Sequence, residues 1–242
     1  MNLVELGRRK RNYLGLHPTP TRKHLLWAGG LFLSPYLPFL TALAFFPLFR
    51  DGLGSKAELV LSGTFLAASF SALLILWIGL IRNCRWNRVQ LGFCKARRSL
   101  WHILWWSPIA IVLAAKATAI VGSVLGVEAQ GTSEKTAFGG LSWVAIVPAV
   151  FLYVLVGPLL EEVVFRRVLL DYLLGVLPRW VAVPIVSACF ALVHIAPPLI
   201  VYNFFLGIAL AMARLWFRSL WGPFLLHVSN NALVTCGVLL AL

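Results

Sequence analysis

The chain is a succession of apolar runs, each approaching the ~20 residues that carry an α-helix across a bilayer, with the lysines and arginines gathered between them. In hydrocarbon a backbone must satisfy its own hydrogen bonds, so only helices and closed barrels span a membrane. These runs are continuous rather than alternating, which argues against a barrel. The expected fold is therefore an all-α, polytopic integral membrane protein. Composition agrees: 12% of residues are charged and 60% hydrophobic, about half the charged share of a soluble domain.

The runs predict about seven spans, within a range of about six to eight. They fall at 25–49, 57–81, 100–125, from 141 to a turn at 175–178, 180–196, 199–217 and from 224 to the C-terminus. Pro35, Pro38 and Pro47 predict a break in the first, which reads as a retained signal anchor because no cleavable signal peptide precedes it. The basic residues of the N-terminal tail, of 82–98, and Arg166, Arg167, Arg179, Arg214 and Arg218 share one side if the spans alternate. Arg50, Lys56 and Lys135 take the other. The positive-inside rule then puts the N-terminus in the cytoplasm and the C-terminus outside. It also accounts for the net charge of +13 without nucleic acid, since no soluble basic domain exists to bind it. Three regions follow: a basic cytoplasmic tail (1–24), accessory membrane helices (25–140) and a working core (141–242). Cys84 and Cys94 lie in the cytoplasmic loop and are expected as reduced thiols.

Only eight residues are acidic, and two of them, Glu161 and Glu162, are adjacent inside an apolar run. An ionisable group at membrane depth costs roughly 2.5–3.5 kcal/mol on insertion scales and reads as a functional site with a partner. Glu162 and Arg166 are i and i+4 in the favourable order for an ion pair. Neighbours on a helix diverge by about 100°, so Glu161 cannot share that face and is left for another task, such as a general base. A purely structural ion network among Glu161, Glu162, Arg166 and Arg167 explains the pair equally well.

His17, His24 and His102 read as surface or interfacial residues, whereas His194 and His227 lie inside apolar runs. His227 and Asn231 share a helix face at i, i+4. Glu161 and His194 are equally far from the Leu177–Pro178 turn, which puts them at similar depth in an antiparallel hairpin. His227 follows closely on the 218–223 turn and should be shallower. The two depths agree if part of 166–179 lies along the interface, giving a site in the cytoplasmic half of the membrane. Glu161, His194 and His227 also form a His2Glu set, the ligand type of many catalytic zinc sites, although no H-E-x-x-H helix is present. The ten tryptophans read as interfacial belts. Ser229 lacks a G-x-S-x-G elbow.

Glu161-Glu162-x-x-x-Arg166, Phe190-x-x-x-His194 and His227-x-x-x-Asn231, in this order on successive membrane helices, resemble the CPBP family. These are the CAAX-protease and bacteriocin-processing enzymes, or Abi family, which include the Rce1-like type II CAAX prenyl endopeptidases. The resemblance covers about 160–231. It departs at Arg167, where the family commonly has glycine, and it extends into 1–140 only as a loose Leu91-Gly92-Phe93. It implies an intramembrane endopeptidase in which Glu161 activates a water, His194 positions that water, and His227 and Asn231 stabilise the oxyanion. Glu162 with Arg166 would hold the helix and tune Glu161. The family has been described both as metal-free and as metal-dependent. The expectation here is no required cofactor, because an asparagine on the His227 face suits an oxyanion better than zinc.

The implied partner is a peptide or protein substrate, such as a prenylated protein, a leader or a signalling peptide, met at the cytoplasmic face of the bilayer. In a bacterium this would be the inner membrane. The alternatives are a non-catalytic scaffold or immunity protein of the same family, and a proton-coupled transporter, which the absence of an internal repeat disfavours.

Overall fold

The structure is a computed structural model that describes residues 19–53, 56–125, 141–194 and 196–240. Most of the basic tail and the 126–140 segment lie outside the described residues. Every regular element among the described residues is helical. In chain order they are α1 (Arg22–Leu33), α2 (Tyr36–Leu53), α3 (Ala57–Asn83), α4 (Leu100–Val124), α5 (Trp143–Leu173), α6 (Arg179–Leu192), α7 (Pro197–Phe217) and α8 (Trp221–Leu240).

Five of these helices are long and apolar enough to cross a membrane, and a sixth span results if α1 and α2, bent by 40° at the Pro35 break, count as one. This is fewer than the seven expected. The difference is α6, a helix of 14 residues, about 21 Å long against a hydrocarbon core of ~30 Å. The apolar run 180–196 is real, but the helix stops at Leu192. Pro197-Pro198 starts the next helix and keeps the residue before it out of the α region. The His194 N–H closes a tight turn on Ala191 O at 3.0 Å. α6 and α7 thus form an antiparallel hairpin with His194 in its tip.

α5 lies at the centre, packed against α1, α3, α6, α7 and α8. Its central position explains why its charged residues are buried. Arg166, Arg167 and Glu162 are fully enclosed, and Asp171 nearly so. α5 continues unbroken to Leu173, and its 31 residues make it about 46 Å long, longer than a hydrocarbon core of ~30 Å. Large apolar side chains such as Leu66, Phe70, Leu104 and Leu113 point outward, as lipid-facing positions must when no water borders the helix.

One end of the bundle collects the basic segments. Lys23 Nζ donates to Asn83 O at 3.1 Å, and His24 stacks on Trp86 at 4.4 Å. The 84–98 loop is laced to the α7–α8 turn by Arg97 N–H to Phe217 O (2.8 Å), Leu220 N–H to Gly92 O (2.8 Å) and Ser219 Oγ to Cys94 O (2.8 Å). The opposite end is marked by Glu58, which accepts from the Ser142 hydroxyl and, at 3.3 Å, from its N–H. The grouping of basic segments at one end is the arrangement the charge pattern predicted.

Candidate active site

The glutamate pair sits where the backbone of α5 changes register. Leu152–Val156 and Glu162–Leu170 have π-helical bonding, flanking an α-helical turn at Gly157–Glu161. Single π-turns inside α-helices recur at functional sites. The local cause is the Gly157-Pro158 step. Pro158 has no N–H to give, and the Gly157 N–H reaches back to Leu152 O. A Cβ at Gly157 would stand 3.1 Å from that same oxygen, so glycine suits the tightened turn. The Tyr153 carbonyl is thereby opened to a donor from another helix.

Glu162 is fully buried, and its Oε1 meets two groups: Arg166 Nη1 at 3.2 Å and His227 Nδ1 at 2.8 Å. The Arg166 contact is a close charge pairing rather than an aligned hydrogen bond, since the guanidinium nitrogens and Glu162 Oε2 have no well-oriented hydrogen-bond partner. The guanidinium instead lies over the Phe190 ring, 4.2 Å from its centroid, a cation–π contact that helps to hold a buried charge. His227 turns its other nitrogen, Nε2, to Glu161 Oε2 at 3.5 Å, and the Glu161 side chain is 25% exposed. The two glutamates point apart, as the helix geometry required, yet one imidazole on α8 touches both. The helix divides the pair; His227 rejoins it.

His194 is set apart from this contact. Its Nδ1 is 2.9 Å from Phe190 O, and its ring packs on Phe190 at 5.0 Å, while Phe190 in turn meets His227 at 5.7 Å. The two histidines therefore flank one buried phenylalanine. Asn231 reaches α5 from the His227 face, donating from Nδ2 to Tyr153 O at 2.8 Å. This is the carbonyl that Pro158 and the π-turn leave open.

Among the described residues no group of three or more His, Cys, Asp or Glu side chains is arranged to hold a metal ion. Glu161, His194 and His227, weighed above as zinc ligands, are thus not assembled as such. The proposed mechanism routes no step through a metal.

Three features escaped the sequence reading. Arg167 is an anchor rather than a turn residue: its Nε donates to Gln90 O at 2.6 Å, its Nη1 to Asp171 Oδ2 at 3.1 Å, and its guanidinium covers Trp86 at 4.3 Å. Asp171 also accepts from Arg214 Nη2 at 2.8 Å. The third is Asn230, whose buried amide joins Tyr202 to Asn231. Asp171, a lone acid one turn beyond Arg167, was the readable signal for the first two. Tyr202, polar and just inside a Pro-started apolar helix, was the signal for the third.

Residues 143–233 match the family model described as type II CAAX prenyl endopeptidase Rce1-like. A stretch of 91 residues is 31% identical to the membrane-embedded CAAX protease MroQ of Staphylococcus aureus (strain USA300), covering 35% of this chain and 37% of that protein. The chain thus matches little more than a third of that relative's length. No solved structure matches. The matched stretch runs from the start of α5 into α8 and contains the glutamates, both histidines and Asn231.

Proposed function

We propose, from the premise that residues 143–233 make this chain a member of the CPBP/Rce1-like family, that it is an intramembrane endopeptidase. The family supports a protease acting in a membrane; the mechanism and residue roles that follow are our reading. The observation that carries it is the His227 imidazole held between a sealed Glu162 and a partly exposed Glu161.

In this mechanism Glu161 takes a proton from a water, whose oxygen adds to the scissile carbonyl carbon. Negative charge leaves Glu161 as its carboxyl is protonated and appears on the former carbonyl oxygen. A His227 protonated on both nitrogens suits that transfer. Nδ1–H stays on Glu162, while Nε2–H, released from Glu161 as that group neutralises, donates to the oxyanion. Asn231 supplies a second donor, since one of its two amide hydrogens remains after Tyr153 is served. Collapse breaks the C–N bond, and the proton on Glu161 passes to the leaving amine. His194, across Phe190, orients the attacking water. Such donors, fixed in a site of low dielectric, are each worth about 3–4 kcal/mol of barrier.

The substrate is a peptide or a protein terminus entering from the end of the bundle with the basic segments. Trp221 opens α8 at that end, and His227 stands about 9 Å further along the helix axis. By positive-inside logic that end is cytoplasmic.

Purified protein assayed on a library of internally quenched peptides is expected to cleave. Glu161→Gln should reduce kcat by about 10²–10⁴-fold, and a chelator should leave the rate unchanged. Full activity in Glu161→Gln would remove the glutamate-base mechanism. Loss on chelation with rescue by zinc would require a metal-bound rearrangement of the same residues. A second reading, a scaffold in which these groups only hold helices together, draws on the internal use of Asn231 and Glu162. It predicts no cleavage by the folded wild type.

A further inference from the structure

Asn231 ends a hydrogen-bond chain that begins at a tyrosine with no part in the steps above. Tyr202 O–H donates to Asn230 Oδ1 at 2.5 Å. Asn230 Nδ2 donates to Asn231 Oδ1 at 3.0 Å, and Asn231 Nδ2 donates to Tyr153 O at 2.8 Å. The chain crosses three helices, from α7 through α8 to α5.

An asparagine amide can be turned over with little change of shape, exchanging two donors for two acceptor lone pairs. An oxyanion donor must not turn over, because the reversed amide would present oxygen to a developing negative charge. Here each link fixes the next. The Tyr153 carbonyl can only accept, so Asn231 must show it nitrogen. Asn231 Oδ1 then faces Asn230 and calls for a donor, which is Asn230 Nδ2. That leaves Asn230 Oδ1 facing Tyr202, whose hydroxyl supplies the proton. Asn230 is 5% exposed, so water does not readily substitute at its amide. A reversal at either asparagine would set acceptor against acceptor.

We infer that Tyr202 and Asn230 are positioning residues that lock the Asn231 amide with its N–H2 group toward the reacting carbonyl. The inference rests on the endopeptidase reading and adds to it two residues, on a helix and at a position that its motifs do not mention. Tyr202 acts from α7, so α7 is part of the catalytic framework and not only packing for α6.

The test is a double-mutant cycle on the full chain in detergent, using an internally quenched peptide that wild type cleaves. Tyr202→Phe keeps the ring and removes one proton donor. It should lower kcat by about 5–10-fold with KM unchanged, the pattern of a lost transition-state interaction. Asn231→Ala should lower kcat by about 10²–10³-fold, and adding Tyr202→Phe to it should cost nothing more, because coupled sites are non-additive. Asn230→Asp is a second, independent probe of the same volume. Its carboxylate cannot donate to Asn231, so its rate relative to wild type should be low at neutral pH and recover as acid restores the O–H. An unchanged kcat in Tyr202→Phe, losses that multiply with Asn231→Ala, or no recovery of Asn230→Asp in acid would each overturn the inference while the peptidase reading stands. A folded wild type that cleaves no peptide would overturn both, and that arm is read before any variant.

Discussion

Burying Glu162 without a partner would cost several kcal/mol, and its side chain is sealed from solvent. Its charge is held by Arg166 and His227 together. Arg166 is therefore expected to matter for folding before it matters for chemistry. Arg166→Met, close in volume, should lower stability by about 3–5 kcal/mol by leaving a buried carboxylate under-compensated. Thermal unfolding in detergent reads this directly, and the double variant Arg166→Met/Glu162→Gln should regain much of the loss. Arg166 also caps the Phe190 ring, the residue that separates His194 from His227. The variant should disturb the spacing of the two histidines as well as the charge balance. The i, i+4 spacing of Glu162 and Arg166 made their pairing legible from sequence. That His227 would touch both glutamates was not legible, because it depends on how α8 packs against a π-helical stretch of α5.

Among the elements, the 84–98 loop is the one whose role the sequence concealed. Its charges announce only a cytoplasmic connection, yet it is fastened to the α7–α8 turn and to Arg167 on α5. Gly92 is its contact point. It has φ +100, and a Cβ there would lie 2.8 Å from Leu220 Cγ. Gly92→Ala therefore combines backbone strain with a clash and should destabilise by about 1–3 kcal/mol. If the loop braces α5, limited proteolysis should also open the variant within 84–98 before any other described segment. Equal protease resistance in variant and wild type would show that the brace is dispensable. The same element explains the departure at Arg167. Where a glycine would permit a turn, this chain runs a helix through and uses the arginine to tie it to Gln90 and Trp86.

At the scale of the whole molecule, orientation is the open physical variable. Cys84 and Cys94 lie at the basic end, while Cys236 is near the far end of α8. Burial raises the Cys84 thiol above its ordinary value, with Lys23 opposing. Its labelling by a membrane-impermeant maleimide should thus keep climbing with pH beyond the point where an ordinary thiol has levelled off, since the thiolate is the reacting form. With N-terminus-inside topology, the single-cysteine proteins retaining Cys84 or Cys94 should label in inside-out vesicles and resist in right-side-out ones. The reverse pattern would invert the proposed entry side for substrate.

What the sequence determined by itself is the solvent and the currency of the fold: apolar runs that must be helices in lipid, basic segments that gather at one end, and a set of polar residues too costly to be idle. Family resemblance over about 160–231 came from the order of three short motifs. The tertiary structure decided the rest. It shortened α6 below the length of a span, because a proline pair and a tight turn end the helix before His194 does. It joined Glu161 and Glu162 through one imidazole, and it drew Tyr202 and Asn230 into line with Asn231. The end of α6 is set locally by those prolines, but the two polar junctions depend on the rotation and depth of one helix against another, set by side-chain packing between residues far apart in the chain, which no local spacing encodes.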